Sequence, residues 1–425
     1  MRCLYLVLSC YTHRMKIGVI TDSISSQNAS AEGAIALTRA IIELGYAATL
    51  YASESLPGNF TEGGNARGVP VVSLPSDFHL TRVSALERAR GLSQLVSDFI
   101  DEHRRAHALA SLLDPHLDAL IIYGGKGYRS ARSFKKQRHA KIPALWYVDT
   151  LPFYFYTYCD IGVQGGAPWC SPAKKILYRI LDFYERRVSL SAITHLVGIS
   201  REVQRLLKRY SNRDALVVGP GVASFAAVQE KDSLSGRAVE VLFYGEHIPL
   251  ENVGEIVAPL KTLHDLGYRV SLVVLGDTKD SSLFRLYREA LLERAKEYGI
   301  DETLSFPGGS GRESARECFG SADIFVHLYG SAEGEAILFE ALAAGIPAIV
   351  LEPAVSNTVL TDGKTALLLK TIEPSTIAGA LKNLIDDEQL CRQLRGGGQA
   401  LVRDFLSWRH VAETFVAMLT GEKKA

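Results

Sequence analysis

Carboxylates cluster around the start of a short apolar helix in residues 331–350. Glu333 and Glu335 lie in the polar stretch ahead of it, and Glu340 lies within it. Carboxylates accept hydrogen bonds from sugar hydroxyls, whereas the exposed amides of a helix start favour an anion such as a diphosphate. Together they predict a site for a ligand that carries both groups. The alternative is that Glu333 and Glu335 only complement the helix dipole.

The elements that position these residues can be predicted from the same stretch. Residues 323–328 are an apolar run of strand length, and residues 336–344 suit a helix. Gly345 suits the left-handed position past the end of that helix, and Pro347 prevents its continuation. Residues 348–351 are then the next strand. A loop that leaves a strand and opens a helix in a parallel sheet is where such folds bind ligands.

Length and composition describe a globular protein with more than one domain. The chain has 425 residues, of which 47% are hydrophobic and 22% are charged. Its 47 basic and 47 acidic side chains cancel, so no global charge favours nucleic acid. The six cysteines are scattered, which argues against a structural zinc site and predicts reduced thiols in the cytoplasm. Cys159 and Cys170 are a weak candidate for a disulfide.

Strand and helix patterns alternate along the chain and predict parallel sheets that are covered on both faces. The predicted buried strands include residues 119–123, 144–148, 239–244 and 270–275. Residues 1–14 form an extension whose apolar part is too short to span a bilayer, with a weak membrane anchor as the alternative. A polar stretch places a linker at 223–238. The two domains are then 15–222 and 239–404, followed by a final helical segment at 405–425.

This pattern resembles retaining glycosyltransferases with two facing Rossmann-like domains, the GT-B architecture, and in particular glycosyltransferase family 4. In that family two glutamates separated by seven residues bracket the donor site and precede Ala-Met-Ala-x-Gly-x-Pro. Residues 340–347, Glu-Ala-Leu-Ala-Ala-Gly-Ile-Pro, match the second half closely, whereas six residues separate Glu333 from Glu340. Weaker matches to family segments lie earlier in the chain, at 196–203 and 217–222, and occur in the same order as in the family. The fold class expected is therefore α/β, with two facing parallel-sheet domains.

The resemblance implies transfer of a sugar from a nucleotide-diphosphate sugar with retention of configuration, in carbohydrate biosynthesis and without metal or cofactor. Glu340 would hold the nucleotide ribose, Glu333 the sugar hydroxyls, and the amides after Ser331 the phosphates. The family's terminal helix also implies that residues 405–425 return to the first domain. The expected donor-binding residues are Ser331, Gly334, Glu335, Glu340, Gly245, Arg312 and Lys279, and the expected catalytic residues are Glu333 and Asp149.

Two acids depart from the family pattern in the second domain. Family members usually place an arginine and a lysine after its first strand, but this chain has Glu246 there and Glu251 near the lysine position. Each lost charge-assisted contact removes on the order of 1.5–3 kcal/mol. Arg312 or Lys279 would have to replace them, and the alternative for each is an ordinary surface cation. Arg312 is favoured because its neighbouring glycines allow close approach to a ligand.

A further departure lies in the first domain. Val148 stands where the family often has a histidine, and the acid that follows is kept as Asp149. In the front-face mechanism attributed to the family, the departing phosphate accepts the acceptor's proton while enzyme dipoles stabilise the developing charge. Loss of the histidine therefore does not end the case for transfer. Asp149 either orients the acceptor hydroxyl or caps the following turn.

A basic stretch precedes an aromatic one in the first domain. Residues 126–141 contain seven Lys or Arg and no acidic residue, and residues 151–158 contain five aromatic residues. This composition suits an anionic membrane surface or a lipid-linked acceptor, so peripheral membrane contact is expected through 126–158. A glycan or small-molecule acceptor is also expected, with the loop from Asp22 to Gly33, and Lys126, on the acceptor side. The alternative is a solvated helix with packed aromatics, and no nucleic-acid module accompanies the pattern.

Two other functions remain open at the level of sequence. The acids at 246 and 251, Val148 and the shortened glutamate spacing favour a non-catalytic binding or regulatory subunit of the same fold. A nucleotide-sugar 2-epimerase shares the two-domain plan but needs further acid–base groups, and no clear histidine is offered for that role. The retained Glu333 and Glu340 favour the transferase. The predicted location is the cytoplasm, and peripheral membrane contact is an additional expectation.

Overall fold

The chain forms two compact units in a computed structural model, one from residues 1–221 and 408–425 and the other from residues 222–407. The structure describes residues 14–24, 29–55, 65–66, 68–74, 92–149, 172–222, 233–245, 252–276, 282–307, 316–330, 332–352, 355 and 359–422. Several sequence predictions concern positions outside these ranges: residues 1–13, residues 223–232 of the linker, the aromatic stretch 151–158, Cys159, Cys170, Glu246, Glu251, Lys279, Arg312 and Ser331.

The first unit is built on a sheet of eight described strands. These are β1 (Lys16–Ile24), β2 (Ala47–Ser55), β3 (Asn65–Ala66), β4 (Val69–Ser73), β5 (Ala119–Tyr123), β6 (Ala144–Val148), β7 (His195–Gly198) and β8 (Leu216–Val217). Their order is β3-β4-β2-β1-β5-β6-β7-β8. Only β3 and β4 pair in antiparallel fashion among these strands. The order reverses between β1 and β5, which creates a topological switch point.

The second unit is built on a sheet of six described strands that all pair in parallel. These are β9 (Val239–Tyr244), β10 (Val270–Leu275), β11 (Leu304–Ser305), β12 (Ile324–His327), β13 (Ala348–Leu351) and β14 (Leu367–Leu369). Their order is β11-β10-β9-β12-β13-β14. The switch point of this sheet lies between β9 and β12, so a ligand is expected at the carboxyl ends of these two strands.

The described α-helices cover both sheets. In chain order they are α1 (Ala29–Glu43), α2 (Leu92–Leu112), α3 (Tyr128–Arg138), α4 (Pro172–Tyr184), α5 (Arg201–Ser211), α6 (Val257–Asp265), α7 (Ser282–Glu297), α8 (Ala332–Ala343), α9 (Pro374–Asp386), α10 (Glu388–Leu401) and α11 (Trp408–Thr420). A π-helical turn, Glu185–Ser189, follows α4 directly. No helix in the described ranges is long and apolar enough to cross a bilayer.

Both faces of the first sheet are buried. On one face Ile121 packs in a core with α1 and with Phe415 of α11. On the other face Ile122 packs in a separate core with Phe134 of α3 and with residues of α2. Successive strand residues point to opposite faces, so burial on both sides explains why β5 and β6 are continuous apolar runs. Phe415 also contacts the ring of Tyr147 edge-on, with centroids 5.1 Å apart.

Helix α8 begins four residues earlier than the predicted start at residue 336. The additional first turn contains Glu333 and Glu335, and acidic residues are favourable at that end of a helix dipole. The predicted end is confirmed, since Gly345 has φ of 84°. The glutamates that the sequence places ahead of the helix therefore lie in its first turn.

Candidate functional site

Hydrogen bonds tie together the segments that follow β9 and β12 in the second unit. The Tyr329 hydroxyl donates to the Tyr244 carbonyl oxygen at 2.7 Å. The Asn252 side-chain amide donates to the Leu328 carbonyl oxygen at 2.8 Å, and Asn252 itself has φ of 61°. Since β9 and β12 flank the switch point, these bonds fix the loop that leads into α8.

The first turn of α8 lies directly against the end of β12. A Cβ atom on Gly334 would lie 2.6 Å from the Tyr329 hydroxyl oxygen and 3.0 Å from Cε1 of His327. His327 is fully buried, and its ring centroid is 5.1 Å from that of Tyr329. Glu335, in the same turn, is 8% exposed. Gly334 is therefore required for close packing of the helix start on the strand, whatever else it does.

Glu340 is held by an arginine that the sequence analysis missed. Its Oε2 accepts from Nε of Arg316 at 3.1 Å, and its Oε1 accepts from Nη2 at 2.9 Å. The glutamate side chain is 3% exposed and that of Arg316 is 30% exposed. This bidentate geometry orients the carboxylate. The sequence feature that could have indicated Arg316 is its place four residues after Arg312, which the sequence predicts to be a phosphate ligand.

The other predicted donor-side residues are placed unequally. Gly245 follows β9, and its backbone N–H donates to the Leu275 carbonyl oxygen at 2.8 Å. This amide is thus engaged in joining the ends of β9 and β10. Glu333 lies in the first turn of α8, but the structure describes its backbone only. The second unit therefore brings Gly334, Glu335 and Glu340 onto one helix beside the switch point.

Asp22 lies at the carboxyl edge of the first sheet, where β1 approaches its end. Both of its carboxylate oxygens accept from the backbone N–H of Lys126, at 3.1 and 2.9 Å. A Cβ atom on Gly125 would lie 1.8 Å from Oδ2 of Asp22, so only glycine allows this approach. Burial raises the pKa of Asp22, and the hydrogen bond from the Lys126 amide opposes that shift. The loop after β5 is thus fixed to the end of β1.

Asp149 follows β6 at the same sheet edge. A Cβ atom on Gly124 would lie 3.3 Å from each of its carboxylate oxygens. Two of the predicted residues, Lys126 and Asp149, are therefore brought together with Asp22 beside the switch point of the first sheet.

Gly33 is placed differently from the acceptor-side loop that the sequence predicts. It lies within α1, and a Cβ atom there would be 2.1 Å from the Tyr123 hydroxyl oxygen and 3.2 Å from the Trp408 ring. Residues 29–32, which the sequence analysis placed in or beside the loop, are already helical. The observed role of Gly33 is to let α1 pack closely on β5 and α11.

The basic stretch 126–141 is only partly a basic surface. Lys126 forms a salt bridge with Glu102. Arg129 is 2% exposed and contacts both Glu102 and Glu185, the latter through Nη2 at 2.9 Å from Oε1. Lys135 donates to the Ala192 carbonyl oxygen at 2.6 Å, and burial lowers its pKa. Several of these cations therefore serve the fold, whereas the exposed ones are Lys136, Arg138 and Lys141.

Asp182 gives the first unit a testable pH dependence. Burial raises its pKa to about 7, Glu185 adds to the shift, and Arg186 opposes it. Because the folded-state pKa lies above the unfolded value, the contribution to stability is full below about pH 4 and is lost as pH rises through about 7. We expect Asp182→Asn to raise the free energy of unfolding at pH 8, on the order of 2 kcal/mol, but not at pH 4.

Urea unfolding of the first unit between pH 4 and pH 8 measures this effect. Asp214→Asn is the matched control, since its side chain is 93% exposed. Equal pH slopes for Asp182→Asn and the unsubstituted chain would contradict the assignment.

Comparison with known proteins finds a match to a family model within the second unit. Residues 226–400 match the family described as "Glycosyl transferases group 1". A D-inositol 3-phosphate glycosyltransferase from Nocardia farcinica is 28% identical over 241 residues, which cover 54% of this chain and 52% of that protein. The chain thus matches about half the length of this curated relative.

Solved structures share the fold. A glycosyltransferase from Rickettsia africae superposes with a TM-score of 0.64 at 12% identity, covering 96% of this chain and 98% of the other. HepE from Anabaena, in complex with UDP and glucose, gives a TM-score of 0.59 at 12% identity and covers 96% and 100%. The expected GT-B fold with two parallel-sheet units is confirmed. The matched residues, 226–400, include Glu340 and Arg316 of the second unit.

Proposed function

We propose that this protein transfers a sugar from a nucleotide-diphosphate sugar to a hydroxyl-bearing acceptor. The observation that carries the proposal is the Glu340 carboxylate, fixed by Arg316 on the helix that opens beside the switch point of a glycosyl transferases group 1 domain. Relatives support it, because one is named as a glycosyltransferase and a structural neighbour is in complex with UDP and glucose.

In this proposal the second unit holds the donor. The Glu340 carboxylate, oriented by Arg316, accepts from the ribose hydroxyls. The amides of the first turn of α8, after Ser331, face the diphosphate, since a helix start favours an anion. Glu333 accepts from the sugar hydroxyls, and Glu335 in the same turn is a further donor-binding residue. Gly334 allows the close packing of this turn on β12.

The diphosphate needs cations to replace those that the family usually carries. The Gly245 amide donates to Leu275, so we assign it a structural role beside the site. We propose Arg312 first and Lys279 second as the phosphate ligands, since Glu246 and Glu251 occupy the customary positions. Loss of either cation is expected to weaken donor binding most at low ionic strength, because added salt screens the attraction between the cation and the phosphates.

We propose that transfer retains the anomeric configuration by the front-face route. The departing phosphate then takes the acceptor's proton, so no protein base is required. Asp149 orients the acceptor hydroxyl from the carboxyl edge of the first sheet, with the Lys126 loop beside it. The acceptor is a glycan, a lipid or a small molecule. Val148 in place of a histidine is compatible with this mechanism, because the phosphate accepts the proton and Asp149 orients the acceptor.

A non-catalytic subunit is the second candidate, and Glu246 with Glu251 favours it. Such a protein would bind a nucleotide sugar without turnover, or would bind none.

The contact of 126–158 with an anionic surface, expected from the sequence, is supported among the described residues by exposed Lys136, Arg138 and Lys141. The cytoplasmic location that the scattered cysteines predict stays a prediction.

The test is a turnover assay with a panel of nucleotide sugars and hydroxyl-bearing acceptors. Release of the nucleoside diphosphate reports cleavage of the donor, and proton NMR of the product reports its anomeric configuration. We expect release from one donor and a product with the donor's configuration. An inverted product would overturn the retaining mechanism, whereas donor binding without release would favour the non-catalytic subunit.

A further inference from the structure

Helix α4 exposes an apolar stripe to solvent. The side chains of Ile176, Ile180 and Phe183 are 59%, 59% and 58% exposed. Their spacing of four and then three residues puts them on one face of the helix. Leu181 and Asp182 lie on the opposite side and are both 7% exposed. The helix is thus packed on one face and presents three large apolar side chains on the other.

Arginines accompany this stripe. The exposed cations of residues 176–187 are Arg179, Arg186 and Arg187. The guanidinium carbon of Arg187 is 6.0 Å from the centroid of the Phe183 ring, so the positive charge lies beside the apolar side chain. The two acidic residues of this stretch, Asp182 and Glu185, are buried. The exposed face from residue 176 to residue 187 is therefore apolar and cationic.

The helix beside α4 extends the apolar character. Helix α2 contacts α4 through the rings of Phe99 and Tyr184, whose centroids are 5.6 Å apart. Val96 and Ile100 of α2 are 38% and 42% exposed and are spaced by one helical turn. Single exposed apolar residues are ordinary on protein surfaces. A repeated set on two adjacent helices, flanked by arginines, is the pattern of a helix that lies in a membrane interface.

We propose that this face docks on the anionic surface of a lipid bilayer. The α4 surface is defined here as Ile176, Arg179, Ile180, Phe183, Arg186 and Arg187. The acyl region receives the apolar side chains, and anionic head groups receive the guanidinium groups. This surface lies outside the candidate donor site, and it is distinct from the basic stretch 126–141.

Charge distinguishes a bilayer from a second copy of the chain. A two-fold symmetric pair would use the same patch on both partners, so arginines would face arginines. The six residues of the α4 surface include three arginines and no acidic residue. Anionic lipids provide both the opposite charge and an apolar phase, so a bilayer satisfies the whole surface whereas a second copy satisfies only its apolar part.

The test is co-sedimentation of the full chain with vesicles of phosphatidylcholine, with and without phosphatidylglycerol. We expect binding that requires phosphatidylglycerol and weakens as salt is added. Each of Arg179→Gln and Arg187→Gln is expected to lower the vesicle affinity about fivefold, as a change of about 1 kcal/mol per cation near the surface implies. Phe183→Glu is expected to lower it at least tenfold.

Matched variants elsewhere serve as controls. Leu286→Glu alters a side chain that is 61% exposed on α7, and Arg403→Gln alters an arginine side chain that is 72% exposed. Both should bind vesicles like the unsubstituted chain, and thermal unfolding by circular dichroism checks that every variant folds. Absence of binding to phosphatidylglycerol vesicles would overturn the proposal, as would equal binding by Phe183→Glu and Leu286→Glu. Conversion of a dimer to a monomer by Phe183→Glu, in sedimentation velocity, would assign the surface to a second copy instead.

Discussion

Replacing Glu340 by glutamine is expected to lower kcat/KM for the nucleotide-sugar donor by about 10- to 150-fold. That range corresponds to loss of one hydrogen bond to a charged group, about 1.5–3 kcal/mol. The carboxylate is proposed to accept from ribose hydroxyls while Arg316 holds it in place. An amide would present a donor to one of these partners instead of an acceptor. Initial rates at varied donor concentration measure the change.

Glu388→Gln is the matched control for this substitution. Glu388 also pairs with an arginine, Arg392, at 2.9 Å, but its side chain is 52% exposed on α10. The kcat/KM of the Glu388→Gln variant should equal that of the unsubstituted protein. Arg316→Gln is expected to raise KM for the donor, because an unrestrained carboxylate loses its orientation. Equal kcat/KM values for Glu340→Gln and Glu388→Gln would remove Glu340 from the donor site.

Replacing Glu185 by alanine is expected to destabilise the first unit by about 3–5 kcal/mol. Glu185 is fully buried, and its Oε1 accepts from Nε of Arg129 at 3.0 Å and lies 2.9 Å from Nη2. Removal of the carboxylate leaves a guanidinium that is 2% exposed and still contacts Glu102. A buried charge that loses its partner is costly because it keeps the desolvation penalty. Urea unfolding at neutral pH measures the loss.

An exposed ion pair supplies the comparison. Nζ of Lys208 and Oδ1 of Asp214 are 2.7 Å apart, and the two side chains are 50% and 93% exposed. Asp214→Ala should therefore lower the free energy of unfolding by at most about 1 kcal/mol. Substituting Arg129 and Glu185 together by methionine and leucine should recover much of the stability, because no unpaired charge then remains. Similar losses for Glu185→Ala and Asp214→Ala would show that the buried pair is not a major determinant of stability.

The sequence predicted most of the fold because its buried strands are continuous apolar runs. The structure confirms β5, β6, β9, β10 and β13 at the predicted bounds. Both faces of these strands are largely buried, so most positions must be apolar, although Glu240 of β9 and Ser271 of β10 interrupt the pattern. Elements whose ends depend on polar contacts were predicted less well. Helix α8 starts earlier because its polar first turn packs on β12 through Gly334.

The candidate site was only partly predictable for a related reason. The sequence identified Glu340 from its place in a family pattern, but it did not identify Arg316, its partner 24 residues earlier. Spacing along the chain does not reveal which side chains a fold brings together. The same limit applies to the seven cations of 126–141. They read as one basic surface, yet Arg129 is buried between two glutamates and Lys126 pairs with one of them.

The central claim is that the second unit binds a nucleotide-diphosphate sugar beside α8, with Glu340 as a ligand. Thermal unfolding of the full chain with a panel of nucleoside diphosphates and their sugars tests it most directly, because a ligand that binds only the folded state raises Tm. The account predicts a rise with one nucleotide and its sugar, present in Glu388→Gln and lost in Glu340→Ala. A panel that leaves Tm unchanged, or a rise of equal size in Glu340→Ala, would contradict it.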